Sequence, residues 1–146
     1  MTHEFLHLAV RLPDLYDTGT GGLSNGKVGG LAAYDLMASP YGQANRQAYP
    51  GSLSPYAKYL VDWVDPLEIQ YNGKYSVRAS QIYPDIYKIS TGYPDGEYLL
   101  IENRQPIFAD EFLWGNGGIL IYHIDENVSG DDNQNPGYPG QVRSFG

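Results

Sequence analysis

The chain has no cysteine among its 146 residues, so no disulfide framework can stabilise it. This absence leaves the cellular compartment open, because many exported bacterial proteins also lack cysteine. The length allows one domain at most, and a domain of that size can bury a hydrophobic core. The 18 glycines, 10 prolines and 14 tyrosines indicate a loop-rich and aromatic chain of an extracellular character.

Positive charge is scarce as well. Nine lysines and arginines stand against 17 aspartates and glutamates, which gives a formal net charge of −8. This balance argues against nucleic acid or an anionic membrane surface as a partner. No apolar run approaches the ~20 residues of a membrane span, and no targeting segment is visible. We therefore expect neither a nucleic-acid partner nor a membrane span.

Histidine is rare too, and two of the three histidines belong to the segment His3-Glu4-Phe5-Leu6-His7. Residues four apart lie on one face of a helix, so His3 and His7 can bind a single ion with Glu4 beside them. Catalytic zinc takes three protein ligands and leaves one position for a water, whose proton a carboxylate can accept. The spacing predicts His3 and His7 as zinc ligands and Glu4 as the general base. The alternative is an ordinary solvated helix face, because HExxH fixes only three positions.

Two helices are predicted in the first half of the chain. The first covers residues 2–12, and its broad inner face is formed by the apolar residues Phe5, Leu6, Leu8, Ala9 and Leu12. Residues 13–33 contain a proline and six glycines without periodicity, which predicts a long loop. Ser54-Pro55 then predicts the start of a second helix, because proline is favoured at the first helical position.

The second half alternates with the period of strands. Residues 67–71 and 74–79 flank Asn72-Gly73, a sequence typical of a two-residue turn, so they predict a β-hairpin. Further strands are predicted at 86–89, 97–102 and 118–123. These patterns of helices and strands therefore indicate an α+β chain whose second half is a small β-rich unit.

A longer pattern surrounds the histidine pair. The segments that carry it are His3–His7, Leu12-Pro13-Asp14-Leu15-Tyr16-Asp17-Thr18, Tyr34-Asp35-Leu36-Met37-Ala38-Ser39, Leu99–Gln105 and Gly118–Glu126. In this order they resemble secreted bacterial metallopeptidases of the immune inhibitor A type, in the metzincin clan. The resemblance covers residues 2 to about 126. It implies a zinc-dependent endopeptidase that acts on a protein or peptide substrate outside the cell.

The resemblance also implies roles for single residues. Asp14 would be the third zinc ligand, and Met37 would be the methionine of the Met-turn, which packs beneath the metal. The chain departs from the family between His7 and Leu12, where it has four residues without glycine instead of three ending in glycine. That glycine lets the backbone turn in a left-handed conformation. Asp14 is therefore expected to be imperfectly aimed, with Asp17 as an alternative ligand.

The expected architecture is a metzincin-like helix and Met-turn, then a second helix and an antiparallel β unit. The expected divisions are residues 1–65 for the metal-binding part, 66–126 for the β-rich continuation and 127–146 for a polar, flexible tail. Metzincins have a supporting sheet upstream of the zinc helix, so the sequence is expected to be a fragment with weak or no activity by itself. The alternative function is a degenerate, non-catalytic binding module of a secreted bacterial protein. A β-rich surface or carbohydrate-contacting domain is a further alternative, which the many tyrosines suggest.

Two weaker candidates complete the list. His123 follows an apolar run beside Asp125, where a histidine is usually a hydrogen-bonded residue at the edge of a core, although a catalytic or ligand role is open. The tail segment Asp131-Asp132-Asn133-Gln134-Asn135 has oxygen ligands suited to Ca²⁺, but it lacks EF-hand spacing and is typical of a solvated loop.

Overall fold

The structure is a computed structural model that describes residues 2–17, 29–38, 50–113 and 115–127. Its fold is α+β, with little helix and a four-stranded mixed sheet. The described helices are α1 (Thr2–Val10) and α2 (Pro55–Leu60), and short 3₁₀ turns lie at Ala32–Tyr34 and Phe108–Asp110. The described strands are β1 (Tyr16–Asp17), β2 (Gly29–Gly30), β3 (Leu67–Glu68), β4 (Tyr87–Ile89), β5 (Glu97–Arg104) and β6 (Gly118–Asp125).

The helix α1 is shorter and less buried than its apolar pattern predicts. It ends at Val10 because Arg11 adopts a left-handed conformation with φ of 57°. Leu6 and Leu12 are buried, but Phe5 and Leu8 are 61% and 83% exposed, so the prediction of a broad inner face is wrong. The buried positions of the helix are His3 and Leu6, one turn apart.

The sequence predicted an irregular loop over residues 13–33. Part of this segment is instead regular. Its two ends pair as an antiparallel ribbon in which Tyr16 lies opposite Gly30 and Asp17 opposite Gly29. The ribbon places the residues that follow Asp14 beside the chain that leads to Met37. Residues 18–28 lie outside the described part of the chain.

The main sheet has the order β3-β4-β5-β6, and it corrects two predictions. Strands β3 and β4 are parallel, whereas β4, β5 and β6 are antiparallel, so the sheet is mixed rather than antiparallel. The hairpin across Asn72-Gly73 is absent from the described structure. Leu67 and Ile69 instead donate backbone hydrogen bonds to the carbonyls of Ile86 and Lys88, each 2.8 Å long.

The hairpin fails because its two segments have no apolar surface to cover. Tyr71 is 77% exposed and Tyr75 is 43% exposed, so the alternating pattern defines no buried face. The Tyr75 hydroxyl donates to the Tyr71 carbonyl over 2.7 Å, which closes this segment through a side chain rather than a strand ladder.

Two apolar clusters lie on either side of α2. The first contains Leu6, Leu12, Leu36, Met37, Leu53 and Ala57. The second contains Ile86, Tyr98, Leu100, Tyr122 and Ile124, with Tyr56 and Tyr59 packed against it. Helix α2 begins as predicted, because the Ser54 hydroxyl accepts from the Ala57 amide and Pro55 follows it. Since α2 contributes to both clusters, it connects the α1 region to the sheet.

Candidate metal site

The two histidines of α1 point their ring nitrogens at one place. The Nε2 atoms of His3 and His7 are 3.1 Å apart, as residues four apart on a helix can be. Their rings meet edge to face, with 4.6 Å between centroids. His3 is buried and His7 is partly exposed, so the pair opens to solvent on the His7 side.

Asp14 completes a group of three. Its Oδ1 atom lies 3.1 Å from the His3 Nε2 atom and 3.2 Å from the His7 Nε2 atom. Donor atoms bound to zinc at about 2.0–2.2 Å in a tetrahedron are about 3.3–3.6 Å apart. The three atoms are therefore arranged as a compact set of metal ligands, and a small expansion would accommodate the ion. Within the described residues, these three side chains form the one histidine and carboxylate group with this arrangement.

The extra residue before Leu12 does not misplace Asp14. The helix keeps one more hydrogen bond past Val10, in which the Arg11 amide donates to the His7 carbonyl over 3.1 Å. Arg11 then takes the left-handed conformation that a glycine would otherwise provide. Leu12 returns to the core and Asp14 reaches the histidines. The expectation of an imperfectly aimed Asp14 is not met. Asp17 is described by its backbone, which lies in β1.

Backbone carbonyls fix which ring nitrogen of each histidine carries a hydrogen. The Nδ1 atom of His3 is 2.9 Å from the Leu36 carbonyl, and that of His7 is 2.6 Å from the Leu12 carbonyl. A carbonyl only accepts, so each Nδ1 atom must carry the hydrogen. In a neutral ring the Nε2 atom is then a free acceptor that faces the centre of the group.

The chemistry of the three facing atoms indicates whether they could hold a cation. Two Nε2 acceptors and a carboxylate oxygen face one another, and the Asp14 Oδ1 atom is buried without a hydrogen-bond partner. Three acceptors without a donor are unfavourable unless a proton or a metal ion lies between them. Two imidazoles and one carboxylate form a ligand set that zinc accepts. The residues present therefore fit a zinc ion.

Met37 lies in a tight turn that supports the group. The turn is closed by the Ala38 amide, which donates to the Asp35 carbonyl over 3.0 Å. The Met37 side chain is fully buried in the cluster that contains Leu6 and Leu12. Its carbonyl accepts from the Leu15 amide over 3.0 Å, so the turn holds the residue next to Asp14. Glu4, in α1 directly after His3, is exposed to solvent.

A group of buried charges lies beside this turn, and the sequence indicates only two of its members, Glu102 and Arg104, as an ion pair or a loop support. Asp35, Glu102, Arg104 and Asp110 are each at most 1% exposed. Burial raises the pKa of Asp35. Burial alone would lower the pKa of Arg104, but the charge of Glu102 and its neighbours raises it overall. The one signal in the sequence was a glutamate and an arginine in the apolar strand 97–104.

His123 takes no part in the group. Its Nε2 atom is 3.0 Å from Glu97 Oε2, and its ring lies 5.8 Å from that of Tyr93 between centroids. These are contacts of a hydrogen-bonded histidine at the edge of a sheet. The calcium candidate at residues 131–135 lies outside the described residues.

Comparison with protein-family models, curated proteins and solved structures found no match to this chain. None of the helices in the described ranges is long and apolar enough to cross a membrane.

Proposed function

We propose that this chain contributes the metal-binding part of a zinc-dependent endopeptidase, similar to the secreted enzymes of the immune inhibitor A type. One observation carries the proposal. The acceptor atoms of His3, His7 and Asp14 lie within about one zinc–ligand bond length of a common centre. The HExxH spacing and the buried Met37 in a tight turn add to it. The substrate class is protein or peptide, and the location is outside the cell.

The residues would divide the chemistry in the following way. Zinc held by three protein ligands supplies Lewis-acid polarisation and acidifies water near neutral pH. His3 and His7 bind through Nε2 because the Leu36 and Leu12 carbonyls hold the Nδ1 hydrogens. Asp14 offers a charged oxygen that has no competing hydrogen bond. Glu4 accepts the proton of the attacking water and returns it to the leaving amine.

The first experiment separates metal binding from catalysis. The full chain is purified, its zinc content is measured, and cleavage of a quenched peptide library is followed with and without a chelator. We expect about one zinc per chain, with weak or no cleavage by the chain alone and chelator-sensitive cleavage once it is joined to the upstream half of a related enzyme. Glu4→Gln should retain zinc and lose at least about 100-fold in rate, because a general base contributes about 10²–10⁴-fold. Glu111→Gln, at another exposed glutamate, is the matched control.

The second experiment tests the ligands. His7→Gln should lose zinc, whereas His123→Gln, at a histidine outside the group, should keep it. A chain that binds zinc through His7 but cleaves no peptide even when joined to the upstream half of a related enzyme would contradict the enzymatic part and favour a binding module. A chain that binds no zinc at all would refute the proposal.

A further inference from the structure

A set of buried charges joins the sheet to the turn that carries Met37. We propose that Arg104 and Asp35 are positioning residues for the zinc ligands, which they act on through the backbone of residues 34–37. This inference rests on the proposed function. The turn contacts both ligand segments, through the Leu36 carbonyl to His3 and through the Met37 carbonyl to Leu15. Whatever fixes these two carbonyls also fixes His3 and the residue next to Asp14.

Arg104 fixes the beginning of the turn from the sheet side. Its guanidinium donates to the Tyr34 carbonyl through Nη1 and to the Leu53 carbonyl through Nη2, the latter over 2.7 Å. The Nη2 atom also lies 2.9 Å from Glu102 Oε1. The planar guanidinium can make such bonds in fixed directions, which a lysine ammonium cannot. Arg104 therefore holds two chain segments at a defined separation.

Glu102 holds Arg104 in this orientation. Its Oε1 atom also accepts from the Tyr122 hydroxyl and its Oε2 atom from the Ser80 hydroxyl, both over 2.7 Å. Lys58 approaches Oε2 at 3.8 Å. These partners bond to Glu102 but not to the turn, so they lie one step further from the metal ligands than Arg104 does.

Asp35 fixes the turn from within. One carboxylate oxygen accepts from the Met37 amide, and the other accepts from the Ser54 amide over 2.7 Å. Leu36, whose carbonyl accepts the His3 hydrogen, lies between Asp35 and Met37 in the chain. The Asp35 carboxylate thus links residues 35 and 37 across Leu36, whose carbonyl orients the His3 ring. Loss of either bond should allow the Leu36 carbonyl to rotate, and His3 would lose its fixed ring orientation.

Asp35→Asn tests this inference with almost no change of shape. An asparagine has one acceptor oxygen, so its amide nitrogen must face either the Met37 or the Ser54 amide, and both are donors. Groups that orient metal ligands typically change affinity about 10–100-fold, and we expect zinc affinity to fall about 10-fold. Affinity is measured by competition with a chromophoric chelator, well below the unfolding temperature. The visible spectrum of the Co²⁺ form should also change, because it reports ligand geometry.

Tyr122→Phe is the matched control. It removes one hydrogen bond to buried Glu102 and should lower stability, yet it leaves the bonds of Asp35 in place. We expect its zinc affinity and Co²⁺ spectrum to match those of the unmodified chain. If Asp35→Asn binds zinc with unchanged affinity and spectrum, Asp35 is structural alone and the inference is wrong. If the unmodified chain binds no zinc, it is the proposed function that fails.

A measurement on the unmodified chain keeps the inference testable if Asp35→Asn does not fold. Coupling is reciprocal, so zinc should strengthen the bonds of the turn as these bonds strengthen zinc binding. Amide hydrogen exchange at Met37, Ser54 and Leu15 should therefore slow more on zinc addition than exchange in β4, which carries none of the proposed positioning residues. Equal slowing in the turn and the sheet would show general stabilisation and would overturn the inference.

Discussion

Replacing Asp14 by alanine should have opposite effects with and without zinc. In the metal-free chain the Asp14 Oδ1 atom is buried, faces two Nε2 acceptors and has no hydrogen-bond partner. An unsatisfied buried polar atom costs about 1–3 kcal/mol. We therefore expect Asp14→Ala to leave the free energy of unfolding unchanged or to raise it by about 1 kcal/mol, because small packing losses offset part of the gain.

With zinc present the same substitution should remove a stabilising effect. A ligand at 100 times its dissociation constant stabilises the folded state by about 2.7 kcal/mol. For a chain near this size, each kcal/mol moves the unfolding temperature by about 2–4 °C. The unmodified chain should thus gain about 5–10 °C at that free zinc concentration. Asp14→Ala should gain much less at the same concentration.

The assay is thermal unfolding followed by circular dichroism, in buffered free zinc and in chelator, at about pH 8. Asp65→Ala, at an exposed aspartate, is the matched control and should keep the full zinc effect. Asp17→Ala tests the alternative ligand. A large loss of metal-free stability in Asp14→Ala, with the zinc effect intact, would refute the reasoning.

Substitutions at two further positions test the support of the site. Arg11→Gly should raise the free energy of unfolding by about 0.5–1 kcal/mol in urea titrations. The reason is that the left-handed conformation at φ of 57° costs an arginine more than a glycine. An unchanged free energy of unfolding would show that the exposed Arg11 side chain compensates for this cost. Met37→Ala should cost about 2–5 kcal/mol because it leaves a cavity in a fully buried site. Met37→Leu should cost less than about 1.5 kcal/mol and retain zinc, so zinc loss in Met37→Leu would indicate a role for the sulfur itself.

Local signals in the sequence were enough where one interaction determines the geometry. The spacing of His3 and His7 fixes their relative direction on any helix, and the ring nitrogens do converge. Ser54-Pro55 starts α2 because the cap and the proline act within one turn. Strands β5 and β6 were predicted close to their observed positions, because runs of apolar and β-branched residues favour strands, although Ile119 and Ile121 of β6 are exposed.

The predictions failed where distant contacts decide. Asn72-Gly73 favours a hairpin, but a ladder also needs a buried face, and β3 pairs with β4 about twenty residues further along instead. The position of Asp14 depended on Arg11 accepting a conformation that arginine disfavours. Packing of Leu12 into the core supplies a reason for that conformation, and no local pattern in the sequence expresses it.

Buried charge on β5 gives the largest difference between what the sequence suggests and what the structure contains. In a strand, Glu102 and Arg104 lie on the same face, which is the face that Leu100 also occupies in the core. Charges at such positions are costly unless each one has partners, and those of Arg104 are carbonyls from residues 34 and 53. These carbonyls belong to the segments around Met37 and the start of α2. The strand therefore supports the segments that carry the candidate metal site as well as forming part of the sheet, and the buried charge of Arg104 is explained by its contacts to the first half of the chain.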